Sequence, residues 1–126
     1  MKHKVFVYGT LRRSYVATYK LYAPAIMQMA QDTKGATYPA VQLVPNSWKV
    51  PPIVGEVLEY TSYELELADM YEGISSGLYV RKKVVVESLS TGDKEEVWCY
   101  LAGKQLEIPL IYSGDWLNNG INNSYQ

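Results

Sequence analysis

One cysteine, one histidine and one phenylalanine stand in a chain of 126 residues. Each scarcity removes a class of chemistry. Cys99 has no partner for an internal disulfide, so a reducing compartment is expected. With His3 as the sole histidine, a zinc site of Cys and His ligands is excluded in practice. A Ser–His or Cys–His nucleophile pair is disfavoured for the same reason. The sequence has no Gly-x-Ser-x-Gly elbow, no His-Glu-x-x-His, no Walker lysine and no Gly-x-Gly-x-x-Gly. No run approaches the ~18 apolar residues of a membrane span. No charged-then-apolar leader opens the chain, and a cytoplasmic location is the expectation. Charge is nearly balanced, with 12 basic and 13 acidic residues and a net charge of -1. Nothing in that balance suggests attraction to nucleic acid or to an anionic membrane. General acid–base work, if there is any, falls to a carboxylate.

What is plentiful is tyrosine, 12 against the single phenylalanine. Tyrosine packs its ring and keeps a hydroxyl to place. Strand-rich structure accounts for the bias; a polar pocket lined by phenols is the sharper reading. The length fits one domain, residues 1–126, large enough to bury a core without staples.

The chain opens on Val5-Phe6-Val7-Tyr8-Gly9-Thr10-Leu11-Arg12-Arg13. Three β-branched or aromatic residues in a row suit a strand buried on both faces. Gly9 then offers a backbone conformation closed to other residues and an unshielded amide. Successive N–H groups after such a turn can form an anion-binding nest. Arg12 and Arg13 either meet an anion or face water. His3, at the start of the strand, reads as a surface residue.

Residues 15–24 fit a short helix or an irregular crossover, stopped by Pro24. Residues 25–44 read as a hairpin, with Pro39 confining its strand to an edge or a bulge. Three prolines and Trp48 make 45–52 a loop. Ile53–Tyr60 is a strand, in which Gly55 marks a bulge or a close backbone approach.

Thr61 and Glu64 then form a capping box that opens a helix. Tyr63, Leu67, Met70 and Tyr71 make one apolar face, with Leu65, Ala68 and Glu72 on the neighbouring one. Gly73 follows as the stop. A hairpin of Leu78–Leu89 and Glu95–Leu101 turns at Ser90-Thr91-Gly92-Asp93, with Val84, Val86, Val97, Cys99 and Leu101 facing the core. Cys99 reads as a buried small hydrophobe. Arg81-Lys82-Lys83 alternate faces and make no continuous basic patch.

Glu72 is the best-placed carboxylate. It stands at the negative end of a helix, beside Leu65 and Ala68. Both the dipole and desolvation would push its pKa upward, toward the value a general base needs. A solvated glutamate at a fraying helix end is the alternative.

Taken together, Val-Phe-Val-Tyr-Gly-Thr-Leu-Arg at the N-terminus and Asp69-Met70-Tyr71-Glu72-Gly73 followed by Tyr79-Val80-Arg81 resemble the gamma-glutamylcyclotransferase-like (AIG2-like) family. Tyr38-Pro39-Ala40, Gly55-Glu56-Val57 and Ser113-Gly114-Asp115-Trp116 fall where that family has similar segments. The resemblance implies an α+β fold, a small mixed β-barrel with a few flanking helices. It implies a cyclotransferase that releases an amine or amino acid from a γ-glutamyl compound as 5-oxoproline forms. Tyr8, Gly9, Thr10 and Leu11 would then bind the substrate, with loop amides on the α-carboxylate, and Tyr79 would be a pocket partner. Glu72 would be the acid/base. That chemistry needs no cofactor, metal, histidine or nucleophile. The expected partner is a small-molecule γ-glutamyl substrate, and a homodimer stays open.

The chain departs from the family pattern at Ala68, at Ser14 and in a shortened 15–37 segment. These departures motivate a second reading, a non-catalytic module that binds γ-glutamyl or related carboxylate ligands. A third is an interaction protein anchored by exposed tyrosines, Trp48 or Trp116.

Overall fold

In a computed structural model the described residues are 2–9, 13, 16–31, 37–72, 79–103 and 110–111, with backbone alone for 28–31, 37–38 and 110–111. Their order is β1 (Lys2–Val7), β2 (Tyr19–Leu21), β3 (Ala25–Gln31), β4 (Thr37–Leu43), β5 (Val54–Thr61), α1 (Ser62–Tyr71), β6 (Tyr79–Ser88), β7 (Lys94–Ala102) and β8 (Leu110–Ile111). Strands β1-β5-β2-β6-β7 close into a barrel, and β4-β3-β8 form a three-stranded sheet. The barrel is mixed. Its neighbours pair antiparallel except at the seam, where β1 runs parallel to β7 with Val5 opposite Trp98 and Phe6 opposite Cys99.

Alternation along the strands sorts the core into two clusters. The barrel interior holds Phe6, Leu21, Val86, Val97, Cys99 and Leu101, capped by Met27 and Val41 of the smaller sheet. The other face gathers Val5, Val7, Ala40, Tyr60, Tyr79 and Tyr100 under Leu65 of the helix. Strand β1 therefore buries both faces at Val5, Phe6 and Val7, as its composition predicts. Cys99 is a free, buried thiol. The β3–β4 hairpin forms as expected, with Pro39 opposite Met29 on a strand that ends its sheet. The β6–β7 hairpin turns through Gly92 at φ +77°.

Two expectations change, and a third point is settled. Residues 15–24 supply neither a helix nor a plain crossover over their described part. Tyr19–Leu21 insert as a short barrel strand between β5 and β6. Tyrosine spacing suggested a helical turn, but pairing on both sides satisfies the backbone better than a three-residue helix could.

The settled point concerns the helix. Its capping box is present, Thr61 and Glu64 exchanging side-chain and backbone bonds at 3.1 and 2.8 Å. Its buried side, however, is the Leu65 side. Tyr63, Leu67, Met70 and Tyr71 are 69%, 46%, 76% and 57% exposed. The stripe with more apolar residues loses because the Asp69 ion pair and the cap fix the helix's rotation, as described below. Glu72 is the C-cap; the proposed stop at Gly73 lies outside the described residues.

The second change concerns the glycines. Gly9 is not in the left-handed region. It is needed for space: a Cβ there would stand 2.5 Å from Cγ of Pro39. Gly55 serves close approach, as expected. A Cβ on it would collide with the carbonyl oxygen of Val7 on the paired strand. Gly55→Ala is therefore expected to spread β1 from β5 and to destabilise the fold by about 1–3 kcal/mol, the usual cost of overpacking. Urea denaturation followed by tyrosine and tryptophan fluorescence measures it; an unchanged midpoint would contradict the close approach.

Candidate active site

The last turn of α1 is tied to the barrel by one side chain, Asp69. Arg81 of β6 donates to it through Nε at 2.8 Å and through a terminal nitrogen at 3.1 Å. The phenol of Tyr100 on β7 donates to Oδ1 at 2.6 Å. The two-point guanidinium fork fixes orientation as well as distance. Arg81 also lies over the Trp98 ring, 4.2 Å from its centroid, with Lys83 at 4.6 Å. These contacts come from the outward face of the β6–β7 hairpin, where Arg81 and Lys83 alternate with Lys82 as the sequence suggests.

Asp69 stands three residues before Glu72, on the same side of the helix. Glu72 is thereby held at the helix end, half-buried, with its amide bonded to the Ala68 carbonyl at 2.8 Å. Desolvation pushes its pKa up from 4.5 to about 7. The negative end of the helix acts in the same direction. Glu72 is thus a carboxyl that can hold or release a proton near neutrality.

Its charge reaches three phenols and a thiol. A negative charge on Glu72 raises the pKa of Tyr8, Tyr60, Tyr100 and the Cys99 thiol, which shows that all four lie within its field. Burial, the larger cause in each, keeps these groups protonated and neutral. Tyr8 donates to the Tyr100 carbonyl at 2.6 Å and accepts from the Val41 amide at 3.3 Å. Tyr79 donates to the Pro39 carbonyl at 2.6 Å. The Pro39 ring in turn packs on Gly9.

Among the expected site residues, Tyr8, Gly9 and Tyr79 are joined through Pro39 and the chain itself, while Glu72 reaches Tyr8 only through its charge. Tyr8 lies in the field of Glu72, Gly9 follows Tyr8, and Pro39 joins Gly9 to Tyr79. Thr10 and Leu11 lie outside the described residues, as do Trp116 and the rest of the 113–116 segment. Arg13 is exposed, and its backbone N–H donates to both oxygens of the Glu56 carboxylate.

Three contributors were not assigned roles from sequence: Asp69, Tyr100 and Glu56. Asp69 and Arg81 were visible as parts of motifs but not as partners. An acid inside the apolar strand Val54-Gly55-Glu56-Val57-Leu58 was the signal that Glu56 is buried. Tyr100 follows Cys99 on a strand that buries both faces, so alternation gave no sign of its role.

Among the described residues, a small closed barrel and a helix with a partly desolvated acid at its end define the class of protein. The family model for "Gamma-glutamyl cyclotransferase, AIG2-like" matches residues 5–118, and the chain belongs to that family. A protein of Arabidopsis thaliana, known from its solution structure, is 26% identical with a TM-score of 0.61, over 84% of this chain and 72% of that one. An AIG2-like protein of Mus musculus is 20% identical with a TM-score of 0.66, over 91% and 88%. A protein of Pyrococcus horikoshii is 20% identical with a TM-score of 0.57, over 98% of each. A comparison with curated proteins finds no match. Among the described residues, no helix is long and apolar enough to cross a membrane.

The raised pKa of Glu72 carries a stability consequence. The folded state holds this proton more tightly than the unfolded chain, so between about pH 4.5 and 7 the native state binds more protons. Stability is therefore lost as pH rises through that window, by about 3 kcal/mol at most. Glu72→Gln, which stays neutral, is expected to remove this slope and to be the more stable protein at pH 8. Chemical denaturation of both proteins from pH 4.5 to 8 tests this; parallel stability curves would show that Glu72 is solvated like an ordinary glutamate.

Proposed function

We propose that this protein is a cyclotransferase that cleaves a γ-glutamyl amine or γ-glutamyl amino acid with formation of 5-oxoproline. The observation that carries the reading is Glu72, a carboxyl at the end of α1 with a pKa raised to about 7 by burial, whose charge is felt by the buried phenol of Tyr8. Family membership supports it, and one structural relative bears the name gamma-glutamyl cyclotransferase.

In this reading the loop that begins at Tyr8 and Gly9, with Thr10 and Leu11, holds the substrate α-carboxylate through its amides. Tyr79 lines the pocket. Glu72, as carboxylate, takes a proton from the neutral α-amine as that nitrogen attacks the γ-carbonyl. The tetrahedral intermediate collapses, the γ-carbonyl bond to the leaving nitrogen breaks, and Glu72 returns the proton to that nitrogen. One ring amide forms, one acyclic amide is lost, and no water is consumed. The cleavage is thus an acyl transfer within the substrate, a lyase-type outcome. The buried tyrosines limit water around the proton transfer and hold no charge of their own.

Incubation with a panel of γ-glutamyl amines and amino acids, with chromatographic detection of 5-oxoproline, tests the activity. Turnover is expected with at least one member. The pH profile of kcat/KM should rise through an acid limb near pH 7. Glu72→Gln should lower kcat by about 10²–10⁴-fold, the usual contribution of a positioned acid/base. Full activity in that variant would remove Glu72 from the chemistry. Ligand-induced stabilisation by γ-glutamyl compounds without product would favour the non-catalytic binding module instead.

A further inference from the structure

Tyr100 lies on β7 and is 2% exposed, in the cluster with Val5, Val7, Tyr60 and Leu65. It holds two neighbours through two different oxygens. Its phenol donates to Oδ1 of Asp69 at 2.6 Å, and its main-chain carbonyl accepts from the phenol of Tyr8, also at 2.6 Å. The direction of the second bond is fixed, because a carbonyl can only accept. The Tyr8 oxygen is left to accept from the Val41 amide at 3.3 Å. On the other side, Asp69 lies within the helical turn that the Glu72 amide closes on the Ala68 carbonyl at 2.8 Å. One residue of the barrel wall therefore stands between Tyr8 and the turn that carries Glu72.

Asp69 has two partners, and they differ in kind. Arg81 brings charge on a long stem. Its side chain and that of Asp69 are each 24% exposed, where water weakens an ion pair. Tyr100 brings a short bond to a charged acceptor from a buried ring with few internal rotations. Burial raises the pKa of this phenol, and the bond to Asp69 raises it further, so it stays a neutral donor while Glu72 titrates. The guanidinium thus supplies attraction, and the phenol sets where the carboxylate comes to rest.

We propose that Tyr100 is a positioning residue that acts through Asp69 to set the place of the Glu72 carboxyl relative to Tyr8. This role rests on the cyclotransferase reading, and it gives Tyr100 an effect on turnover rather than on substrate affinity. A proton-transfer group displaced by a fraction of an ångström loses rate while the substrate still binds.

The test is Tyr100→Phe, which keeps the ring and the carbonyl held by Tyr8 and removes the oxygen on Asp69. Expected are a kcat lowered about tenfold or more with KM within about threefold of wild type. The acid limb should move down from about 7 toward 4.5 as the Glu72 carboxyl gains water. Tyr8, Tyr60 and Cys99, the other groups its charge reaches, stay neutral, and Arg81 stays charged, so the limb reports Glu72. Asp69→Ala removes the same bond from its other end and should act in the same direction; it carries the test if the phenylalanine variant does not fold. With Asp69 gone, Tyr100→Phe should lower kcat by no more than about threefold further. Losses that multiply independently, an unchanged kcat, or a loss confined to KM would overturn the proposal. If the wild-type chain forms no 5-oxoproline from any substrate, the cyclotransferase reading fails by itself. The positioning is then decided by the Glu72 carboxyl resonance in side-chain carbon NMR: a lower titration midpoint in Tyr100→Phe upholds it, and an equal midpoint overturns it.

Discussion

The ion pair between Asp69 and Arg81 sets the geometry on which the candidate site depends. Without it, α1 would be free to roll toward its more apolar stripe, because only Leu65 of the helix is deeply buried. The carboxylate takes one partner from β6 and another, Tyr100, from β7. Both strands belong to the hairpin that completes the barrel against β1. The helix end is thereby referenced to the barrel seam, and Glu72 inherits that placement. Each side chain of the pair is 24% exposed, so the net energy of the contact is modest compared with its directional effect. What it provides is orientation.

Much of the fold was legible because it follows simple periodicities. Val5, Phe6 and Val7 announced a strand covered on both sides. Gly55 announced a bulge or a close approach, and the capping box located the start of α1 to the residue. The β6–β7 hairpin followed from alternation and a turn at Gly92. The misses share a cause. Tyr19–Leu21 is too short to show a period, and its strand character comes from the two neighbours that pair with it. Which apolar face of α1 is buried could not be read by counting, because Asp69 is a polar anchor that outweighs Tyr63, Leu67, Met70 and Tyr71. Gly9 was assigned a conformational role when the Pro39 ring, 30 residues along the chain, is what requires the missing Cβ.

The site was legible in outline for a different reason. A chain with one histidine and one cysteine leaves few ways to move a proton at neutral pH, and a glutamate ending an amphipathic helix is a natural choice. Its environment was not legible. The phenols of Tyr8, Tyr60 and Tyr100 come from the end of β1, from β5 and from β7, and no local pattern joins them to residue 72. Glu56 shows the same limit. An acid within an apolar strand signals burial, but only the register of β1 against β5 reveals that its carboxylate faces the exit of the first loop.

The position of Cys99 has a consequence of another kind. Its thiol is fully enclosed in the barrel, and burial together with the nearby Glu72 keeps it protonated. Thiolate is the form that alkylating and oxidising reagents attack. A chain whose single sulfhydryl is shielded in this way is insensitive to ambient oxidants for as long as the barrel stays closed. Modification of Cys99 therefore serves as a clock for barrel opening, built into the native sequence and needing no engineered probe.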